Sequence, residues 1–181
     1  MEKKKLLLHC CCAPCTSGVL WQLEDFDISC FYYNPNIAPK EEYEFRKQEL
    51  EKFLKNFDIP MFFLDYDKEK YEEMVVGLEN EKEGGARCYK CFELRLLKTA
   101  KFAKDNGFDI FTTTLSVSPY KNHNVLNEIG ERISKEVGIE FLPANFKKNN
   151  GYLKSIENSK KFGLYRQNYC GCIYSKRDIT N

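Results

Sequence analysis

No apolar run in this chain approaches the roughly 20 residues that a membrane-spanning helix needs, which argues against an integral membrane protein. Met1 to Leu8 imitates a basic start with an apolar run, but Leu6 to Leu8 meets His9 and three cysteines before a signal core forms. The chain is therefore expected to stay in the cytoplasm. Phosphate-cradling glycine signatures are missing as well. Neither G-x-G-x-x-G nor G-x-x-x-x-G-K-[ST] occurs, and cysteines stand where a nucleotide binder would hold glycines. Repeats, low-complexity segments and linkers are lacking, and 181 residues suit a single domain, 1–181, with a sizeable core. Histidine is scarce, at His9 and His123 only. His9 is expected to pack beneath a metal site rather than to move protons, and His123 to begin a helix.

A hydrophobic fraction of 43% and a charged fraction of 30% are those of an ordinary globular protein. Cysteine is the exception: there are nine, at Cys10, Cys11, Cys12, Cys15, Cys30, Cys88, Cys91, Cys170 and Cys172. All but Cys30 fall in three tight clusters. Disulfides are disfavoured in a reducing compartment, so metal ligation or redox chemistry is the better account. The net charge of +1 gives no sign of a polyanionic partner, but from Leu142 onward eight Lys or Arg face two acids. A solvated basic surface and an RNA-facing patch both fit that excess.

Lys5 to His9 reads as a central strand covered on both faces, and it delivers the first cysteine cluster directly. Pro14 suits a first helical turn, continued by Cys15 to Leu23, and Ile28 to Tyr33 is a second strand closed by Asn34-Pro35. Tyr43, Arg46, Leu50, Phe53, Leu54 and Phe57 recur at helical spacing around a helix over Glu41–Asn56, followed by a strand over Pro60–Leu64. Helices over Lys68–Leu78 and Cys88–Asn106 come next, the second stopped by Gly107. A strand over Phe108–Leu115, a helix over Asn124–Glu136, a strand over Ile139–Leu142 and a helix over Tyr152–Lys161 complete the pattern. Residues 163–181 read as an irregular tail that contributes to the active site. Alternating strands and helices predict an α/β fold: one three-layer domain around a mainly parallel, Rossmann-like sheet of about five strands.

Cys88-x-x-Cys91 at a helix start is a common metal-ligand spacing, because one turn brings two thiolates to one ion while backbone N–H groups face their charge. Cys11-Cys12-Ala13-Pro14-Cys15, on a strand-to-helix turn, supplies partner thiolates. Four thiolates suit a structural zinc as well as an iron–sulfur cluster; the arms differ from paired zinc knuckles, and the spacing favours iron–sulfur. In Cys170-Gly171-Cys172 the glycine lets the backbone turn so that the two thiols meet or share an ion, as a dithiol couple or as further ligands.

The strings Leu6-Leu7-Leu8-His9-Cys10-Cys11-Cys12-Ala13-Pro14-Cys15, Tyr33-Asn34-Pro35-Asn36-Ile37 and Gly84-Gly85-Ala86-Arg87-Cys88-Tyr89-Lys90-Cys91 resemble motifs of the QueH-type epoxyqueuosine reductases. So do Thr112-Thr113-Thr114-Leu115-Ser116, Ser118-Pro119-Tyr120-Lys121-Asn122 and the stretch from Gly163 to Cys172. The resemblance runs in order through nearly the whole chain. It implies a cobalamin-independent enzyme of queuosine biosynthesis that removes the epoxide oxygen of epoxyqueuosine in tRNA, served by an unidentified electron donor. It further implies a 4Fe-4S cluster on Cys11, Cys12, Cys88 and Cys91, with Cys170 and Cys172 as a candidate redox pair. Cys10 stands where the family usually has another residue, which leaves the register of the ligands open.

Removing an epoxide oxygen takes two electrons and two protons, and something must polarise that oxygen. Cys15, Cys170 and Cys172 are the spare thiolates for a second, mononuclear iron, and Cys170 with Cys172 serves equally as a two-electron dithiol. Single-stranded RNA is held by aromatic stacking and cationic contacts. Tyr152, Tyr165, Tyr169 and Tyr174 interleave with Lys154, Lys160, Lys161, Arg166, Lys176 and Arg177, half of the tyrosines being as readily core. Arg166, Tyr169, Lys121 and Asn34 are the residues expected to bind substrate, with Asn122 beside them. A zinc-stabilised RNA-binding module without catalysis is the competing reading. A tRNA sulfurtransferase ranks behind it, since the S-G-G-x-D-S type ATP loop is absent.

Overall fold

The computed structural model describes residues 2–179, with side chains as far as Lys176. Five parallel strands form one sheet in the order β3-β2-β1-β4-β5. They are β1 (Lys5–His9), β2 (Asp27–Tyr32), β3 (Met61–Phe63), β4 (Ile110–Thr113) and β5 (Glu140–Phe141). Leu6, Leu7 and Leu8 are all fully buried, as only a strand covered on both faces allows. The helices are α1 (Ala13–Ser17), α2 (Lys40–Leu54), α3 (Lys68–Met74), α4 (Ala86–Asp105), α5 (His123–Val137), α6 (Gly151–Phe162) and α7 (Ile173–Ile179).

Strand alternation divides the core in two. Leu7, Phe31 and Phe111 face one way, against Leu94, Leu96 and Ala100 of α4 and Leu126, Ile129 and Ile133 of α5. Leu6, Leu8, Cys30 and Tyr32 face the other way, against Ala13 of α1 and Tyr43, Leu50 and Phe53 of α2. This is the expected three-layer α/β plan.

Several elements differ from the sequence reading, among them the helix expected over Lys68–Leu78, which ends at Met74. The helix expected to run to Leu23 ends at Ser17 and resumes as a 3-10 turn over Leu20–Gln22. The fourth strand is shorter than expected, because Thr113 Oγ1 accepts from the Leu115 N–H at 3.2 Å and starts a 3-10 turn over Thr114–Val117. The tail, expected to be irregular throughout, forms α7 after Cys172.

The chain moves from β1 outward through β2 and β3, then returns to β4 on the other side of β1. Loops leaving the carboxyl ends of β1 and β4 thus diverge, the position where sheets of this kind admit ligands. His9 closes the floor there. It is fully buried, its Nδ1 lies 2.9 Å from Thr113 Oγ1 and its Nε2 3.0 Å from the Tyr33 carbonyl. Burial, with the Arg95 charge adding to it, lowers its pKa to about 3. The ring is therefore neutral, donates from Nε2 to the carbonyl and accepts at Nδ1, and so ties the ends of three strands together.

Candidate metal centre and substrate cavity

Neighbouring cysteines at the end of β1 are sent to opposite sides of the sheet. The Cys10 N–H continues the ladder to Phe31 O at 2.9 Å, and its side chain joins Leu6, Leu8 and Cys30 in the α1/α2 layer. There its thiol donates to Leu8 O at 3.3 Å, and burial together with Cys30 pushes its pKa well up. Cys11 and Cys12 turn to the α4 side. Pro14 sits in the first turn of α1 and brings Cys15 round to them. The sulfurs of Cys11, Cys12 and Cys15 all lie within 4.8 Å of one another, and these three could hold a metal ion. Cys15 therefore stands beside Cys11 and Cys12, as the C-C-x-x-C spacing implies.

Hydrogen bonds from Cys12 and Cys15, then the Arg95 and Lys121 charges, hold Cys11 well below the usual thiol range in spite of burial. The same bonds push Cys12 up to about 12 and Cys15 well above its ordinary value. Thr114 Oγ1 lies 3.7 Å from the Cys11 sulfur.

The second arm is the start of α4. Cys88 receives the Gly84 N–H at 3.2 Å, while Cys91, one turn on, is raised to about 12 by burial. Arg95, a further turn along, is 2% exposed. Its guanidinium reaches Cys91 Sγ at 3.7 Å and Asn34 Oδ1 at 2.8 Å, and Asn34 Nδ2 donates to Cys10 O at 2.9 Å. One polar chain thus runs from the α4 arm to the β1 arm. Asn34 spends both amide atoms in it, and its side chain lines neither cavity described below.

Side chains hold the tail in place. Arg46, 1% exposed, pairs with Glu42 at 2.7 Å and donates to the carbonyls of Cys170 and Tyr169, each at 3.1 Å. The Gly171 carbonyl accepts the Ala38 N–H at 2.9 Å, and Tyr169 Oη donates to Ala38 O at 2.8 Å. Gly171 takes φ +112°, and a Cβ there would fall 2.6 Å from Ile37 Cγ1, so glycine is required. Cys170 Sγ then lies 3.0 Å from Ser175 Oγ, and Cys172 Sγ 3.0 Å from Tyr71 Oη.

Two adjoining cavities open on these sulfurs. The larger, about 560 Å³, is lined by Cys11, Cys12, Cys15 and Cys170 together with Tyr152, Arg166 and Tyr169. The smaller, about 50 Å³, is lined by Cys88, Cys91, Cys170 and Cys172. Glu83, Arg95, Tyr120, Lys121 and Cys170 border both. Lys121 is half-buried; burial alone would lower its pKa, but the sulfurs of Cys170, Cys11 and Cys15 raise it.

Arg166 donates to Ser155 and Ser159 at 3.2 and 3.3 Å, with its guanidinium over the Tyr152 ring. Asn122 caps α5 by accepting the Asn124 N–H at 2.9 Å, and His123 begins that helix as expected. Tyr152, Tyr169 and Tyr174 are half-buried, Tyr165 is exposed, and the Arg177 side chain lies outside the described residues. The sequence reading missed Arg46, Arg95 and Lys147, whose Nζ braces the cavity rim by donating to Ser116 O, Ser118 O and Lys121 O.

A family model described as epoxyqueuosine reductase QueH matches residues 6–178. The chain belongs to the QueH family. A QueH relative from Streptococcus pyogenes is 41% identical over 97% of this chain and 71% of its own length. One from Acinetobacter baylyi is 42% identical over 97% of this chain and 82% of its own, and one from Thermotoga maritima 36% over 94% and 89%. All three are named epoxyqueuosine reductase. Among solved structures, a predicted tRNA methyltransferase subunit from Methanocaldococcus jannaschii superposes with a TM-score of 0.54 at 11% identity, over 87% of this chain and 76% of that one. That likeness concerns the fold alone. QueH membership gives the cysteine arms and the tail a common context. No helix among the described residues is long and apolar enough to cross a membrane.

Proposed function

We propose that the chain is a cytoplasmic, cobalamin-independent iron–sulfur reductase that converts epoxyqueuosine in tRNA to queuosine. The observation that carries this reading is the convergence of three cysteine segments on two adjoining cavities in a member of the QueH family. The donor set fits the cofactor. Buried thiols face the cations of Arg95 and Lys121, which offset the negative charge of a thiolate-ligated cluster. Cys11, Cys12, Cys88 and Cys91 would hold it, with Cys15 within reach of the first two. When bound, a 4Fe-4S cluster supplies one-electron transfer.

The larger cavity suits a base splayed from a single-stranded loop, with Tyr152 and Tyr169 for stacking and Arg166 and Lys121 for polar contacts. Lys121 presents its ammonium to the bound epoxide and lowers the cost of charge on the departing oxygen. The reaction consumes two electrons and two protons and yields a C=C bond and water. Cys170 and Cys172 provide both pairs when they close to a disulfide, which a thiol reductant reopens. Their use as ligands of a second iron remains the alternative.

The test is incubation of the anaerobically reconstituted protein with epoxyqueuosine-containing tRNA and a chemical reductant, followed by nucleoside mass analysis. Loss of one oxygen from the modified nucleoside is the expected result. Unchanged nucleoside alongside stoichiometric zinc would return the chain to the RNA-binding reading.

A further inference from the structure

Asn36 is the second asparagine of the loop between β2 and α2. Asn34, Pro35, Asn36 and Ile37 make a tight turn, closed by the Ile37 N–H to Asn34 O bond at 3.1 Å. Proline at the second position presets that turn, and Asn36 follows at the third. The turn sends the two asparagines to different tasks. Asn34 is consumed by Arg95 and Cys10 O. Asn36 is 2% exposed, yet neither Nδ2 nor Oδ1 has a hydrogen-bond partner.

A buried amide left unsatisfied is costly, so such a group is a pointer to something it meets in the working protein. Its surroundings narrow the choice. Asn36 lines the smaller cavity with Cys88, Cys91, Cys170 and Cys172, and does not line the larger one. Four of the residues that line this space are cysteines, the chemistry of a metal site rather than of a nucleobase pocket. Arg95 Nε, also buried and without a partner, borders the same space. With Arg87 Nη2 the third, three orphaned donors therefore belong to residues that line the cavity of the α4 sulfurs.

We propose that Asn36 is a positioning residue of the metal centre: its Nδ2–H donates to sulfur of the thiolate-held cluster and favours the reduced, more negative state. The proposal rests on the iron–sulfur reading above. Hydrogen bonds to cluster sulfurs are among the features that set reduction potential. An amide can donate to a cluster without adding charge, which Arg95 cannot.

The experiment is an anaerobic redox titration of wild type, Asn36→Leu and Asn36→Asp, with iron and sulfide counted in each, and thermal melts of the metal-free chains. Leucine keeps the volume and removes the amide without adding charge, whereas aspartate keeps the shape, removes the amide donor and, when ionised, adds a negative charge that lowers the potential further. Both variants should retain their iron and sulfide and become harder to reduce, Asn36→Leu by about tenfold in the redox equilibrium, which is 59 mV for one electron, and Asn36→Asp by more. Metal-free Asn36→Leu should melt no lower than metal-free wild type, because no protein hydrogen bond is lost. Unchanged potentials in both variants, with a raised KM for tRNA, would place Asn36 on the substrate and overturn the proposal. A metal-free Asn36→Leu chain that melts several degrees lower would show a purely structural residue and overturn it as well. A wild-type chain with iron and sulfide but unshifted variants refutes the role of Asn36 alone, while a wild-type chain without them refutes the iron–sulfur reading too.

Discussion

The β1–α1 turn and the C-terminal tail bring cysteines to the same cavities by different means. In the turn, backbone parity does the placing: the ladder that fixes β1 also decides that Cys10 enters one core layer and Cys11 the other. In the tail no strand takes part. Arg46, Ala38, Tyr71 and Ser175 hold Cys170 and Cys172 through a handful of hydrogen bonds. Thiols fixed by a sheet suit a cofactor that must not move. Thiols fixed by a few side chains suit a pair that opens and closes with each turnover.

The largest effect that would break this comparison is metal loss. Cys12→Ala and Cys91→Ala should each abolish cluster binding and the stability that comes with it, read as iron content and melting temperature. Cys10→Ala, one or two residues from the ligands, should keep full iron and cost about 1–2 kcal/mol for the cavity it leaves. Iron loss from Cys10→Ala equal to that from Cys12→Ala would undo the parity argument.

Next in size is turnover. Cys170→Ser and Cys172→Ser should keep wild-type iron and lose multiple turnover, since a dithiol without its partner sulfur cannot form a disulfide. Loss of about one iron per chain in these variants would instead make the tail cysteines ligands. Arg46→Lys sharpens the point. It keeps the charge but loses the fork that binds Glu42 and two tail carbonyls, so turnover should fall several-fold at unchanged iron content. Wild-type turnover would mean that Arg46 does not hold the tail.

The smallest effect concerns the floor under both regions. His9 is held near a pKa of about 3 in the fold against about 6.5 when unfolded. Below pH 6.5 the unfolded chain binds a proton that the folded chain does not. Stability of the metal-free protein should therefore fall as pH drops from about 6.5 towards 3, by about 1.4 kcal/mol per unit from this residue. Chemical unfolding of wild type and His9→Gln at pH 7 and pH 5 isolates that share; equal slopes in the two would contradict it.

Much of the fold was legible because β1 carries an unbroken apolar run and each helix an apolar stripe. The cysteine arms were legible as spacing. What escaped was the work of buried cations. Arg46 was read as one more position on the stripe with Tyr43, Leu50 and Phe53, and a charged residue on that face was the available signal of a buried partner. Arg95 carried the same signal, four residues beyond Cys91 and therefore on its face of α4. Asn34 was expected at the base because it follows a strand, but which of two asparagines in one turn is left free depends on Arg95, a contact 61 residues away in sequence.

The central claim is that the β1–α1 and α4 arms hold one iron–sulfur centre, and the most direct measurement is iron, sulfide and zinc content of the anaerobically purified wild-type protein. The account predicts about four irons per chain with matching sulfide. One zinc per chain without sulfide would contradict it.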